Sequence, residues 1–174
     1  MYLSESLAHL VIRHLDTPLP AVAIERAKMS LASTIASAAM GHAIESATII
    51  RELERADGGT PIATAWFSDM KLPVSRAVRV NAVASDAAAS DDSDLRSIAH
   101  IGTIVSAVTL AIAESNGSSR AQILKAMVLG YEVAGRIDEA LTPGRMQRGF
   151  HGSVSTVFGA VIAAGVLRGL TEPQ

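Results

Sequence analysis

Between Asn81 and Gly102 the chain reads NAVASDAAASDDSDLRSIAHIG, which sets Asp86, Asp91, Asp92, Asp94, Arg96 and His100 between two segments that are otherwise almost uncharged. Carboxylates are costly to bury unless they are paired or hydrogen-bonded. An acidic cluster wedged between apolar segments is therefore there for chemistry, or for helix capping and a solvated turn. Asp91 and Asp92 suit either an N-cap or a partner that orients His100, and Ser93 is a further cap candidate. His100 itself reads as a helix-terminal cap or as a group that exchanges protons near neutral pH.

A second constellation is Arg145, Arg148, Gly149, Phe150, His151, Gly152 and Ser153. Two arginines beside a histidine at an expected helix N-terminus make an anion site, because free N–H groups and the helix dipole favour negative charge there. Arginine also binds carboxylates in bidentate fashion. Glycines on both sides of His151 let a ligand come close to the backbone. The alternative is a plain loop with a capping histidine and solvated arginines. His9, His14 and His42 have no ligand-spaced partner, and no Glu-x-x-His or HExxH pattern occurs, so no metal and no cofactor is expected.

The elements that must position these residues are helices. Apolar spacing predicts a first helix over 5–15, with Ser4 or Ser6 as its cap, ended by Thr17-Pro-Leu-Pro20. A second runs from Pro20 to about Met40, and a third from about Ala43 to Ala56, stopped by Gly58-Gly59. TPIATAWFSDMKLP alternates in the manner of a short hairpin or an irregular crossing. Further helices are expected over Val74 to about Ala89, His100 to Glu114, and Arg120 to about Leu141, the last capped by Ser118 or Ser119. After a Thr142-Pro-Gly144 turn and a loop over 145–150, a final apolar helix leads from His151 to Leu167. Gly130 sits in mid-helix, where a small residue allows close packing.

Composition narrows the function classes. The chain has 174 residues, enough for one domain with a proper core. Hydrophobic residues make up 49% and charged ones 18%, with aromatics at only 3%, so the core is built from Ala, Val, Ile and Leu and apolar surface is left for a partner. A net charge of -2 with scattered Lys and Arg argues against nucleic acid. The absence of cysteine removes disulfides and thiolate sites and permits a reducing compartment, here taken as the cytoplasm. The start, MYLSESLAHLVIRHL, lacks the features of a signal peptide. Residues 101–113 and 154–167 are apolar but too short to span a bilayer, and read as buried helices.

The ordered set of Asn81, the Asp91-Asp92-Ser93 step, His100 followed by Gly102, LAIAESNGSS, GYEVAGR, GFHGS and VFGAVIAAGVLRGL resembles the MmgE/PrpD family, from LPAVAIERAK near Leu19 to Leu170. That family includes 2-methylcitrate dehydratases, cis-aconitate decarboxylases and an iminodisuccinate epimerase. The resemblance implies an all-α, multi-helix bundle, with residues 1–174 forming a single helical domain that lacks the family's smaller α+β lid. It also implies cofactor-free chemistry on small di- or tricarboxylates, usually in a homodimer. Against a family pattern like HALDFDDTH, Asp91 and Asp92 match the paired aspartates and Ser93 the threonine, while His100 and His151 match two later histidines.

The chain departs from that pattern at Asp86, where histidine is frequent, at Ala89 for the first aspartate, at Asp94 for the final histidine, and at Ile101 for a proline. Ala89 cannot transfer a proton, and Asp86, one helical turn earlier, is placed to substitute for the missing acid. Members of the family are more than twice as long, the remainder holding the lid, a catalytic lysine and further helices. The chain is accordingly expected to be a half-protein that pairs with a second polypeptide, a piece of a longer chain, or a decayed paralogue used for binding.

The resulting expectation is a dehydratase-type lyase that removes a proton next to a carboxylate. His100 and His151 would form the acid/base pair, Asp91, Asp92 and Ser93 would complete the catalytic set, and Arg145, Arg148 and Asp86 would bind substrate. Its partners are a small carboxylate and either a second copy or a complementary chain, with no nucleic acid and no membrane. An epimerase or isomerase of the same family, and a non-catalytic helical interaction or regulatory subunit, are the alternatives.

Overall fold

A computed structural model describes residues 2–95 and 98–174, so Arg96 and Ser97 of the acidic turn lie outside the described residues. The helices are α1 (Leu3–His14), α2 (Ala21–Gly41), α3 (Glu45–Ala56), α4 (Val74–Ala87), α5 (Ile101–Asn116), α6 (Arg120–Leu141), the short α7 (Gly144–Gln147) and α8 (Thr156–Arg168). A 3-10 turn over Gly152–Ser155 precedes α8. The only sheet among the described residues is a two-stranded antiparallel ladder of β1 (Ala63–Thr64) and β2 (Lys71–Leu72), with Ala63 opposite Leu72. The domain is all-α, and among the described residues no helix is long and apolar enough to cross a membrane.

Local chemistry sets most helix boundaries. Ser119 caps α6 by a reciprocal box: its Oγ accepts the Gln122 N–H at 3.3 Å and its own N–H donates to Gln122 Oε1 at 2.8 Å. Gly117 ends α5 in the left-handed conformation at φ 70°. At the N-terminus neither expected serine is the cap. The helix begins at Leu3, the Tyr2 N–H donates to Glu5 Oε2 at 2.7 Å, and Ser6 Oγ bonds back to the Tyr2 carbonyl at 3.2 Å from inside the first turn. The reading of 145–150 as loop is also corrected, since the chain forms one helical turn there before Arg148.

α5 is the central rod, buried on nearly every side and touching α2, α4, α6, α8 and β1. Ile101, Val105, Ile112, Ala126, Ala134, Ala163 and Leu167 form its main core with α6 and α8. α6 and α8 cross at Gly130 and Gly159. A Cβ on Gly130 would come within 2.8 Å of the Gly159 carbonyl, and one on Gly159 within 2.6 Å of the Gly130 carbonyl. Any larger residue would force these backbones apart. α8 buries Gly159, Ala163 and Leu167 at four-residue spacing, but Val157, Phe158 and Val161 on its other face are exposed. The helix is thus half-buried and not wholly interior.

The hairpin is pinned to the bundle by two polar side chains. Asn81 Nδ2 donates to the Thr64 carbonyl at 2.9 Å and its Oδ1 accepts the Trp66 N–H at 2.8 Å, so one buried amide completes the edge of β1. From α5, Glu114 accepts from the Thr64 N–H at 2.7 Å and from Lys71 Nζ at 2.8 Å. α3 is tied to α4 by the buried Glu54, whose Oε1 lies 3.1 Å from Arg79 Nε.

Candidate active site

The acidic loop joins α4 to α5 and is bracketed by two non-glycine residues in left-handed backbone, Ala89 at φ 48° and Ile98 at φ 59°. Such conformations cost of order 1–3 kcal/mol each and persist only where the surroundings over-determine them. Asp94 and Ala99 form an isolated antiparallel bridge in this loop, the Asp94 N–H donating to the Ala99 carbonyl at 2.9 Å. This knot delivers His100 to the N-terminus of α5.

Asp91 and Asp92 are adjacent in sequence and face different tasks. The Asp91 side chain is 1% exposed, and its Oδ2 lies 2.8 Å from His100 Nδ1. A carboxylate oxygen accepts, so Nδ1 carries a proton, and in the neutral ring Nε2 holds the lone pair. Asp91 Oδ1 is buried with no hydrogen-bond partner, a condition that costs about 1–3 kcal/mol.

Asp92 instead anchors helices. Its Oδ1 accepts the Gly102 N–H at 3.1 Å, capping α5 from outside, and its Oδ2 accepts from Tyr131 Oη at 2.7 Å and Ser30 Oγ at 2.5 Å. Burial, and next the Asp92 charge, hold the Tyr131 phenol above its usual range, so it remains a donor. Gly102 is required at this junction: a Cβ there would lie 2.1 Å from Asp92 Oδ1 and 2.6 Å from both Thr34 Oγ1 and Tyr131 Oη.

His151 opens the 3-10 turn, and its Nδ1 accepts the Ser153 N–H at 3.2 Å. Its proton therefore sits on Nε2, the complement of His100. The two rings lie 6.3 Å apart between centroids and within 16° of parallel. His151 is exposed and the His100 side chain is 27% exposed, so the pair stands on open surface.

The arginines do not join the histidines in the same way. Arg145 is buried in an ion pair with the fully buried Asp138, which also accepts from Ser155 Oγ at 2.8 Å. The Phe150 N–H donates to the Arg145 carbonyl at 3.0 Å. This cluster ties the end of α6, α7 and the 3-10 turn together and so sets where His151 stands. Arg148 is exposed and folds over Gly144, where a Cβ would meet its guanidinium at 2.8 Å. Ser93 is exposed and lines a cleft of about 550 Å³ between α2, α6 and the acidic loop, together with Arg26, Ser30, Asp92, Tyr131 and Glu132. No histidine is among the residues lining that cleft.

Asp86, on the last turn of α4 and exposed, offers a carboxylate oxygen within 4.8 Å of ligand atoms of Asp91 and His100. These three groups could hold a cation. Sequence reasoning missed Tyr131, Ser30 and Asp138. The only signal for Asp138 was an acid set among the apolar positions of a long helix, and the expectation for Gly130, next to Tyr131, stopped at packing.

Fold and site together define an all-α domain that presents two imidazoles of complementary tautomer beside a buried aspartate. The chain belongs to the MmgE/PrpD family: the model of the MmgE/PrpD N-terminal domain matches residues 5–174. A comparison with curated proteins gives no significant match.

Proposed function

We propose that this domain supplies the proton-transfer half of a lyase that acts on a small di- or tricarboxylate, of the dehydratase type and without a cofactor. The observation that carries the proposal is the near-parallel pair of His100 and His151, one with a lone pair on Nε2 and the other with a proton there. A base and an acid poised on one surface suit removal of a proton next to a carboxylate and protonation of the leaving hydroxyl. Asp91 orients the base and favours the imidazolium that forms when it takes the proton, as a buried carboxylate does in other acid/base pairs.

The open position of both rings supports a site completed by a covering element from a second copy or a complementary chain. Water exclusion and carboxylate clamping would come from that element. Arg148 is the exposed guanidinium of this chain nearest in sequence to His151 and is the candidate clamp, while Arg145 serves by holding the loop.

The test is to incubate the protein, alone and with a candidate partner chain, with 2-methylcitrate, cis-aconitate and related acids in D2O. Deuterium entering the carbon next to a carboxylate, lost in His100→Ala and in His151→Ala, is the expected result. No exchange by the chain or by any mixture would leave the helical interaction module as the better reading. Two imidazoles facing one gap also suit a two-base epimerase of a dicarboxylate. In that case deuterium appears in an inverted product without loss of water.

A further inference from the structure

Tyr131 on α6 and Ser30 on α2 both give their hydroxyl protons to one atom, Asp92 Oδ2, at 2.7 and 2.5 Å. The two hydroxyls also touch each other, and the Ser30 carbonyl accepts from the buried Thr34 Oγ1 at 3.0 Å. The other oxygen of the same carboxylate, Oδ1, holds the Gly102 N–H at 3.1 Å. Capping α5 asks for less than this. A serine or asparagine would satisfy that N–H without bringing in a charge that needs further donors.

What the carboxylate adds is a grip on both sides of one short stretch. Asp92 follows Asp91 directly in sequence, and Gly102 lies two residues after His100. The anchor therefore fixes the acceptor and the donor of the Asp91–His100 bond at once. The loop between them includes Ile98 in left-handed backbone, a conformation that lasts only where its surroundings impose it.

We propose that Tyr131 and Ser30 are positioning residues for His100: through Asp92 they hold its imidazole on Asp91, with Nδ1 as the donor and Nε2 left free. Among the described residues neither hydroxyl makes a hydrogen bond to His100 or His151, so the action runs through Asp92. Which imidazole nitrogen carries the proton of the neutral ring is set by the hydrogen bond that the other group offers. With Asp92 loosened, Asp91 and the first turn of α5 shift relative to each other, that selection is lost, and the ring populates both tautomers. As a contribution to catalysis this rests on the acid/base reading of His100; as a statement about the tautomer it stands apart from it.

The test is NMR of the ring nitrogens in isotope-labelled protein, at a pH where the imidazoles are neutral, with the His100 signals assigned by their loss in His100→Gln. The wild type is expected to show a protonated Nδ1 and an unprotonated Nε2 at His100. In Tyr131→Phe and in Ser30→Ala the two shifts move toward each other, while those of His151, oriented by the Ser153 N–H, stay in place. Circular dichroism reports folding, and where Tyr131→Phe does not fold, Ser30→Ala decides. A merely stabilising role would lower the melting temperature and leave the His100 shifts where they are, which overturns the proposal. So does a wild type whose neutral His100 carries its proton on Nε2. In a protein that turns over a carboxylate, kcat of Tyr131→Phe falls by roughly tenfold to a hundredfold with little change in KM. A wild type that turns over nothing defeats the acid/base reading, and the tautomer measurement still decides here.

Discussion

Arg145 and Asp138 form an ion pair with both side chains shut off from solvent, the aspartate fully buried and the arginine 2% exposed. A guanidinium that the sequence offers as a substrate clamp is thereby committed to holding the loop that carries His151.

Breaking this pair from one side leaves an uncompensated buried charge. Arg145→Ala is expected to lower stability by about 3–5 kcal/mol, measured by urea unfolding. The paired change Asp138→Leu with Arg145→Met should recover most of that loss, because two apolar groups leave no orphan charge. A loss below about 1 kcal/mol in the single variant would mean that the loop is held by other contacts.

Gly102→Ala places a methyl group against Asp92, Thr34 and Tyr131 at once. The expected cost is about 1–3 kcal/mol from overpacking, with further loss because the cap on α5 is displaced. Thermal melts followed by circular dichroism check it. Gly117→Ala, at an open helix end in left-handed backbone, is the comparison and should cost about 1 kcal/mol.

The Tyr131 phenol is raised above its usual 10.0 by burial and by Asp92. Its contribution to stability is therefore complete below pH 10 and is lost as pH rises through the higher folded value. Phenolate absorbance should show Tyr131 ionising only together with alkaline unfolding. Tyr131→Phe removes a hydrogen bond to a charged group and should cost about 1.5–3 kcal/mol at neutral pH.

For Glu114 the direction is opposite. Burial pulls its carboxyl upward, but hydrogen bonds from Lys71 and Thr64 outweigh it and leave the group below its ordinary 4.5. The stability it lends the hairpin is present above pH 4.5 and disappears as pH falls through the lower folded value. Fluorescence of Trp66, the single tryptophan, should report an acid transition in wild type that is shallower in Glu114→Gln.

Most of the helical order was legible because it is written in short-range chemistry. Ser119 and Gln122 sit three residues apart and make their own cap, so the expected Arg120–Leu141 helix is the observed one. The segment from Thr60 to Pro73 was ambiguous because two-residue strands are too short to show alternation, and Asn81 and Glu114, far along the chain, decide that it pairs. Placing Ser4 or Ser6 at the start of α1 failed since a carboxylate at Glu5 outcompetes a hydroxyl for the first free N–H.

By itself, then, the sequence determined the all-α class, the family and the two segments that carry titratable side chains, because periodicity, caps and residue order are local or linear properties. Only the tertiary structure decided the assignments within those segments. Asp91 faces His100 while its neighbour Asp92 turns to Tyr131, Arg145 turns inward to Asp138, and Asp86 joins a trio whose spacing matches no metal motif. The physical reason is that each outcome depends on how closely helices approach. With α8 against α6 at Gly130 and Gly159, and α5 against both, His151 is carried to within 6.3 Å of His100.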